Sequence, residues 1–215
     1  MCNWKTPLAI GGLMAVAFVA GRTLPVGPQA EGAQPEKPKA TQPDKPGAGQ
    51  PAFEAPKPGT EHKLLDGFLG TWEGGGKMWM APDQSPMEFN GSATRTWVLD
   101  GMWVKEDVQG PPSEHMPVPF KGLGMIGYNT AEKKYEMLWF ENMATWHSSA
   151  TGTYDAAKKV FTFQGDCIDP MTQRRMKSRS TWDISNPTRH VFTGWAVGPD
   201  GKEFKNFEGT FEKKK

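Results

Sequence analysis

Cysteine is nearly missing from this sequence. Cys2 and Cys167 are the only two among 215 residues. Two cysteines can build neither a disulfide framework nor a four-cysteine zinc site. An excess of either charge is missing too. Lys plus Arg is 25 and Asp plus Glu is 24, a formal net charge of +1. A nucleic-acid binder would show a basic excess or stripe, so no nucleic-acid partner is expected. Long hydrophobic runs are scarce. The longest, Leu8 to Ala20, is 13 residues, whereas a membrane span needs about 20. With 37% hydrophobic residues the chain cannot be a multi-span membrane protein. The four histidines, His62, His115, His147 and His190, show no His-x-His or His-x3-His spacing, so no metal site is expected. No G-x-S-x-G, P-loop or HExxH run is present, so no catalytic residue is expected and the protein is read as no enzyme.

What is abundant is unevenly spread. Residues 1–21 read as a signal peptide or N-terminal anchor, with Lys5 as a short positive region before the apolar run LAIGGLMAVAFVA. A weak processing site follows Gly21, and the sequence leaves cleavage and retention both open. Only Met1 precedes Cys2 in this sequence, so lipoprotein-type processing is not expected. Export to the periplasm or cell envelope is expected, with membrane contact only through this segment if it is uncleaved. Residues 22–60 hold nine Pro and five Gly in 39 positions. Proline gives no N–H to a helix or ladder, and a lone Phe53 offers no core, so a disordered Pro-rich linker is expected. Residues 61–215 carry eight of nine Trp, ten of twelve Phe, all three Tyr and ten of twelve Met. That is enough chain for one well-buried domain.

Within 61–215 the apolar period is two, punctuated by turn signals. After a short helical lead over 61–70, runs over 72–80, 87–99, 102–108, 120–128, 135–141, 145–154, 160–166, 175–184, 190–197 and 204–211 read as strands. Asp100-Gly101 predicts a two-residue type I′ hairpin, whose central positions need positive φ. The fold class expected is all-β: a single up-and-down antiparallel barrel of about ten strands with a short N-terminal helix. Connections are mostly 2–6 residues, too short for the crossovers of a sandwich, and closure removes the two edges. Gly74 to Gly76, Gly122, Gly124, Gly127 and Gly152 suit tightly coiled strands.

Gly70-Thr71-Trp72, after a short helix with Leu64, Leu65 and Leu69, resembles the G-x-W signature of lipocalins and other calycins. The wider segments LDGFLGTWEGGGKMWM (65–80), FKGLGMIGYNTAEKKYEMLWFENM (120–143), GTYDAAKKVFTFQGD (152–166), DPMTQRRMKSRSTW (169–182) and VGPDGKEFKNFEGTFEK (197–213) resemble the bacterial family known as domain of unknown function 1579. The resemblance covers nearly all of 61–215. It implies a lipocalin-like barrel, often exported, with Gly70 and Trp72 at the barrel base, and no particular activity. In many lipocalins an arginine packs on the signature Trp; Arg175 and Arg179 are the candidates here.

Trp97, Tyr135, Met137, Trp139, Trp146, Trp182 and Trp195 fall on alternating strand faces and are the candidates for lining a barrel interior. Met adapts to irregular ligands and Trp or Tyr adds a polar handle, so a small apolar ligand is one reading and a dense structural core the other. An interaction module that binds an envelope partner or anionic surface through its outer face is the alternative function. No cofactor is expected. Some small ten-stranded barrels hold haem through one His near the C-terminus, whereas 203–213 has none and His190 is the nearest, placed to reach a barrel mouth. Cys167 lies beside Asp166 and Asp169, whose charges oppose a reactive thiolate. Arg175, Lys177 and Arg179 form a cationic stripe on one strand, readable as docking to anions or as cross-strand pairing.

Overall fold

The computed structural model describes residues 54–114, 117–169, 172–198 and 200–215. The expected signal segment at 1–21 and nearly all of the expected linker lie outside the described residues, as does His115. Among the described residues no helix is long and apolar enough to cross a membrane.

A short helix α1 (Thr60–Lys63) and a 3-10 turn (Leu64–Phe68) lead into ten strands. These are β1 (Gly70–Met78), β2 (Met87–Val98), β3 (Trp103–Gly110), β4 (Phe120–Asn129), β5 (Lys134–Glu141), β6 (Ser148–Asp155), β7 (Val160–Ile168), β8 (Arg175–Asn186), β9 (Arg189–Val197) and β10 (Glu203–Lys213). Each pairs antiparallel with the next, and β1 pairs with β10 to close the barrel. The all-β, up-and-down, ten-stranded expectation therefore holds.

Two local details differ from the sequence reading. The β2–β3 connection takes three positive-φ residues, Leu99 (51°), Asp100 (55°) and Gly101 (84°), rather than two. Met102 N–H closes it by donating to the Leu99 carbonyl at 3.1 Å. The register nevertheless matches a hairpin centred on Asp100-Gly101, with Trp97 opposite Val104 and Arg95 opposite Glu106. The strand expected from Thr145 begins only at Ser148. Asn142 is the reason. Its side chain accepts from Lys121 N–H (2.9 Å) and donates to the Pro119 carbonyl (3.0 Å), and its N–H donates to the Lys121 carbonyl (3.0 Å). These bonds turn the chain away from the ladder after Glu141.

Burial divides the barrel into two halves. At the lower end Leu65 and Phe68, from the 3-10 turn, are fully buried against Val104, Ile126, Tyr135, Phe161, Phe163, Trp182 and Ile184. These inward positions alternate with more exposed ones, as the period of two requires. Tight coiling is visible where β1 meets β10. A Cβ at Gly76 would strike the Glu208 carbonyl, and one at Gly74 the Thr210 carbonyl. Both obstacles are backbone and cannot swing aside. Gly76→Ala is expected to cost about 1–3 kcal/mol in urea unfolding, the usual range for overpacking. An unchanged midpoint would mean that the β1–β10 seam has room for a methyl group.

Candidate functional site

The lower half holds an unusual set of buried polar groups. Trp72, fully buried, donates from Nε1 to the Phe68 carbonyl at 2.9 Å and so pins the plug to the wall. Arg95, 2% exposed, points inward from β2. Its Nε donates to Glu106 Oε1 at 2.7 Å, from a carboxylate that is itself 7% exposed. Four rings surround the guanidinium carbon: Trp182 at 4.6 Å, Trp72 at 5.4 Å, and Phe68 and Phe211 at 5.7 Å each. These are cation–π distances. His190 lies against Trp72 with ring centroids 3.9 Å apart and has no exposed surface. Burial, then the charges of Arg95 and Lys213, push its pKa down to about 3, against a small opposing effect of Asp183. The imidazole is therefore neutral at pH 7. The expectation that His190 reaches the barrel mouth is corrected: it stands at the sealed end.

The arginine against the signature Trp72 is Arg95, joined by Lys213, whose Nζ is 5.4 Å from the same ring. Arg175 and Arg179 do not take that place. Arg175 stands at the start of β8 opposite Ile168. Arg179 pairs with Glu203 through two bonds of 3.1 and 2.7 Å while lying 3.6 Å over Trp195, and Lys177 pairs with Asp166 at 2.8 Å. These partners hold the Asp166 and Glu203 carboxyls below the usual range. The stripe Arg175, Lys177, Arg179 is thus an outer-wall feature whose second and third members are paired across strands.

Of the seven proposed interior residues, Trp97, Tyr135, Met137, Trp139 and Trp182 point inward. Trp97 Nε1 donates to Asp66 Oδ1 at 2.8 Å, and the Tyr135 hydroxyl donates to the Glu61 carbonyl at 3.1 Å. Burial chiefly pushes the Tyr135 hydroxyl up to about 12. Trp195 is corrected to the outer wall, because His190, Gly194 and Ala196 take the buried positions of β9. Trp146 is corrected to the 142–147 turn, outside any strand.

The upper half differs in character. Phe89, Trp139, Ala150, Cys167, Met176 and Phe207 face inward yet stay half-buried. Phe89 and Phe207 are 4.7 Å apart, and Trp139 donates to Glu141 Oε2 at 2.8 Å. Burial foremost raises the Cys167 thiol, with Asp166 and Asp169 adding to the effect. Its thiol is thus protonated at neutral pH and poorly suited to attack. Among the described residues no three His, Cys, Asp or Glu side chains gather to hold a metal ion.

Arg95, Glu106 and the base position of His190 were not singled out from the sequence. The first two had a signal. Arg95 shares the inward parity of Ala93 and Trp97, Glu106 that of Val104 and Val108, and the hairpin register sets them opposite each other.

This is a lipocalin-like barrel: ten antiparallel strands closed on themselves, with a short helical lead over one end. Residues 57–213 match the family described as Protein of unknown function (DUF1579), and the chain belongs to that family. Among solved structures it is similar to the S-type phycobiliprotein lyase CPES from Guillardia theta, with 11% identity over 72% of this chain and 93% of that one, at a TM-score of 0.51. It also matches a redesigned β-barrel at 16% identity, 72% and 95% coverage, and a TM-score of 0.36. Comparison with the curated proteins gives no match.

Proposed function

We propose that this protein is an exported, non-enzymatic binding module that holds a small hydrophobic molecule in the upper half of its barrel. One observation carries the reading. The lower half is packed shut, whereas the inner wall above it, lined by Met137, Trp139, Ala150, Cys167, Met176 and Phe207, keeps solvent-exposed surface. Apolar, polarizable and partly wet is the character of a ligand-accepting wall rather than of a finished core. In this reading residues 1–21 direct or anchor the chain at the envelope and 22–60 tether the barrel.

Titration of the full chain with fatty acids, retinoids, tetrapyrroles and quinones is expected to change its Trp emission for one of these classes. Ala150→Trp, which fills the lumen beside Met137, should abolish the change. Emission that stays constant throughout would remove the reading.

A second reading rests on the outer wall of β4 and β5. Leu123 and Phe140 face each other across the strands and are 37% and 40% exposed, with Met143 at 47%. An apolar patch of this kind suits a protein partner. It is the reading left standing if the lumen binds nothing.

A further inference from the structure

Among the described residues, five buried side-chain nitrogens, all in the lower half, have no hydrogen-bond partner: Nη1 and Nη2 of Arg95, Nε1 of Trp182, and Nδ1 and Nε2 of His190. All three residues are more than nine-tenths buried. Buried polar groups are satisfied in the great majority of cases, so a cluster of five calls for a physical cause.

The three residues share one neighbour. The Phe68 ring lies 5.7 Å from the Arg95 guanidinium carbon, 5.6 Å from the Trp182 ring and 5.9 Å from the His190 ring. Phe161 completes the surround at 5.2 Å. Phe68 is a hydrocarbon ring and accepts no conventional hydrogen bond from these nitrogens. It is also not part of the barrel wall, because it ends the short plug over 60–68. Besides packing, the plug is held by Trp72 Nε1 on the Phe68 carbonyl, Trp97 Nε1 on Asp66 and the Tyr135 hydroxyl on the Glu61 carbonyl.

We infer that the base of the barrel is a second ligand site, distinct from the upper lumen, that Phe68 fills in this structure and that takes an uncharged aromatic molecule bearing a carbonyl oxygen. The ring takes the place of Phe68, and the oxygen accepts from Trp182 Nε1 and the free fork of Arg95. Charge balance selects the neutral acceptor. Glu106 already neutralises Arg95, a buried neutral His190 adds no positive charge, and the cation of Lys213 beside Trp72 is exposed to solvent, so a carboxylate would enter the interior without a buried counter-charge. Removing Phe68 is the natural way to expose the site, since a ring-sized apolar hole binds benzene-sized molecules without collapsing.

Acetophenone and ethylbenzene are near-isosteres that differ in the carbonyl oxygen, which makes them the probes. In full-length Phe68→Ala, acetophenone is expected to bind at least about tenfold more tightly than ethylbenzene, the worth of one net hydrogen bond. Benzoate should bind more weakly than acetophenone. In Phe68→Ala/Trp182→Phe, which keeps an aromatic ring but loses the indole donor, the preference should shrink to what the Arg95 fork alone supplies. In the wild-type chain, excess acetophenone should shift the indole N–H resonances of both Trp182, which gains an acceptor, and Trp72, which loses the Phe68 carbonyl. That titration tests the site even where Phe68→Ala fails to fold. Ala150→Trp fills the lumen beside Met137, away from Arg95 and His190, and should leave these shifts in place, separating this site from the proposed upper one. Equal binding of the two probes, tighter binding of benzoate, the absence of indole shifts in the wild type, or their loss in Ala150→Trp would overturn the inference.

Discussion

Glu106→Ala is expected to destabilise the barrel by about 3–5 kcal/mol, because it strands the Arg95 charge in an apolar interior. The pair is buried on both sides, with side chains 1% and 9% exposed at 2.7 Å, so solvent screens little of the loss. The four rings around Arg95 cannot replace the carboxylate, since cation–π contacts give only about 0.5–2 kcal/mol. The double variant Arg95→Met/Glu106→Leu should recover most of the stability, because a buried ion pair often exchanges for apolar side chains of similar volume at little cost. Urea unfolding of the wild type, Arg95→Met, Glu106→Leu and the double variant forms the cycle that measures the coupling. If Glu106→Ala unfolds with the wild-type midpoint, the pair does not brace β2 against β3.

Acid is expected to weaken the fold through His190 well before most carboxylates protonate. The imidazole has a folded pKa of about 3, lowered from 6.5 by burial first and then by Arg95 and Lys213. Because the folded value is depressed, the unfolded chain takes up the proton first as pH falls. The contribution is therefore whole above about pH 6.5 and is lost progressively from there down to about pH 3, at up to about 1.4 kcal/mol per pH unit. His190→Phe keeps a ring against Trp72 and has no proton to take up. The stability difference between wild type and variant should shift in favour of His190→Phe by about 1–3 kcal/mol between pH 7 and pH 4.5. Thermal or urea unfolding at the two pH values reads this directly, and parallel pH profiles would show that His190 protonates equally in both states. Asp166 and Glu203, also held by partners, act lower on the pH scale and cancel in the comparison.

Much of the architecture was legible because it rests on local chemistry. Alternation defined ten strands, short connections ruled out crossovers, and Asp100-Gly101 set a register that puts Arg95 opposite Glu106 even though the turn uses Leu99 as well. The face of a strand was less legible. In β9 both alternating sets are mostly apolar: Val191, Trp195 and Val197 with Thr193 on one side, Phe192, Gly194 and Ala196 with His190 on the other. Hydrophobicity alone favoured Trp195 as the inward residue. The wall turns it outward, where it stacks under Arg179 from β8. Trp146 was misplaced because the alternation that follows it in β6 extends backward in the sequence past the point where pairing stops. The limit is set by the Asn142 bonds to Lys121, at the start of β4, and to Pro119 just before it, more than twenty residues away, and these leave no trace in the local period.

By itself the sequence determined the strands, their order and the family, since pattern, turns and motif segments are properties of neighbouring residues. Tertiary structure alone decided which Trp is inside, that His190 lies on Trp72, and that Arg95, Trp182 and His190, with their unpartnered nitrogens, all neighbour Phe68. The reason is closure. Joining β1 to β10 brings Trp72 and His190 from distant stretches of chain against one ring of wall, and a period of two carries no information about partners so far apart in sequence.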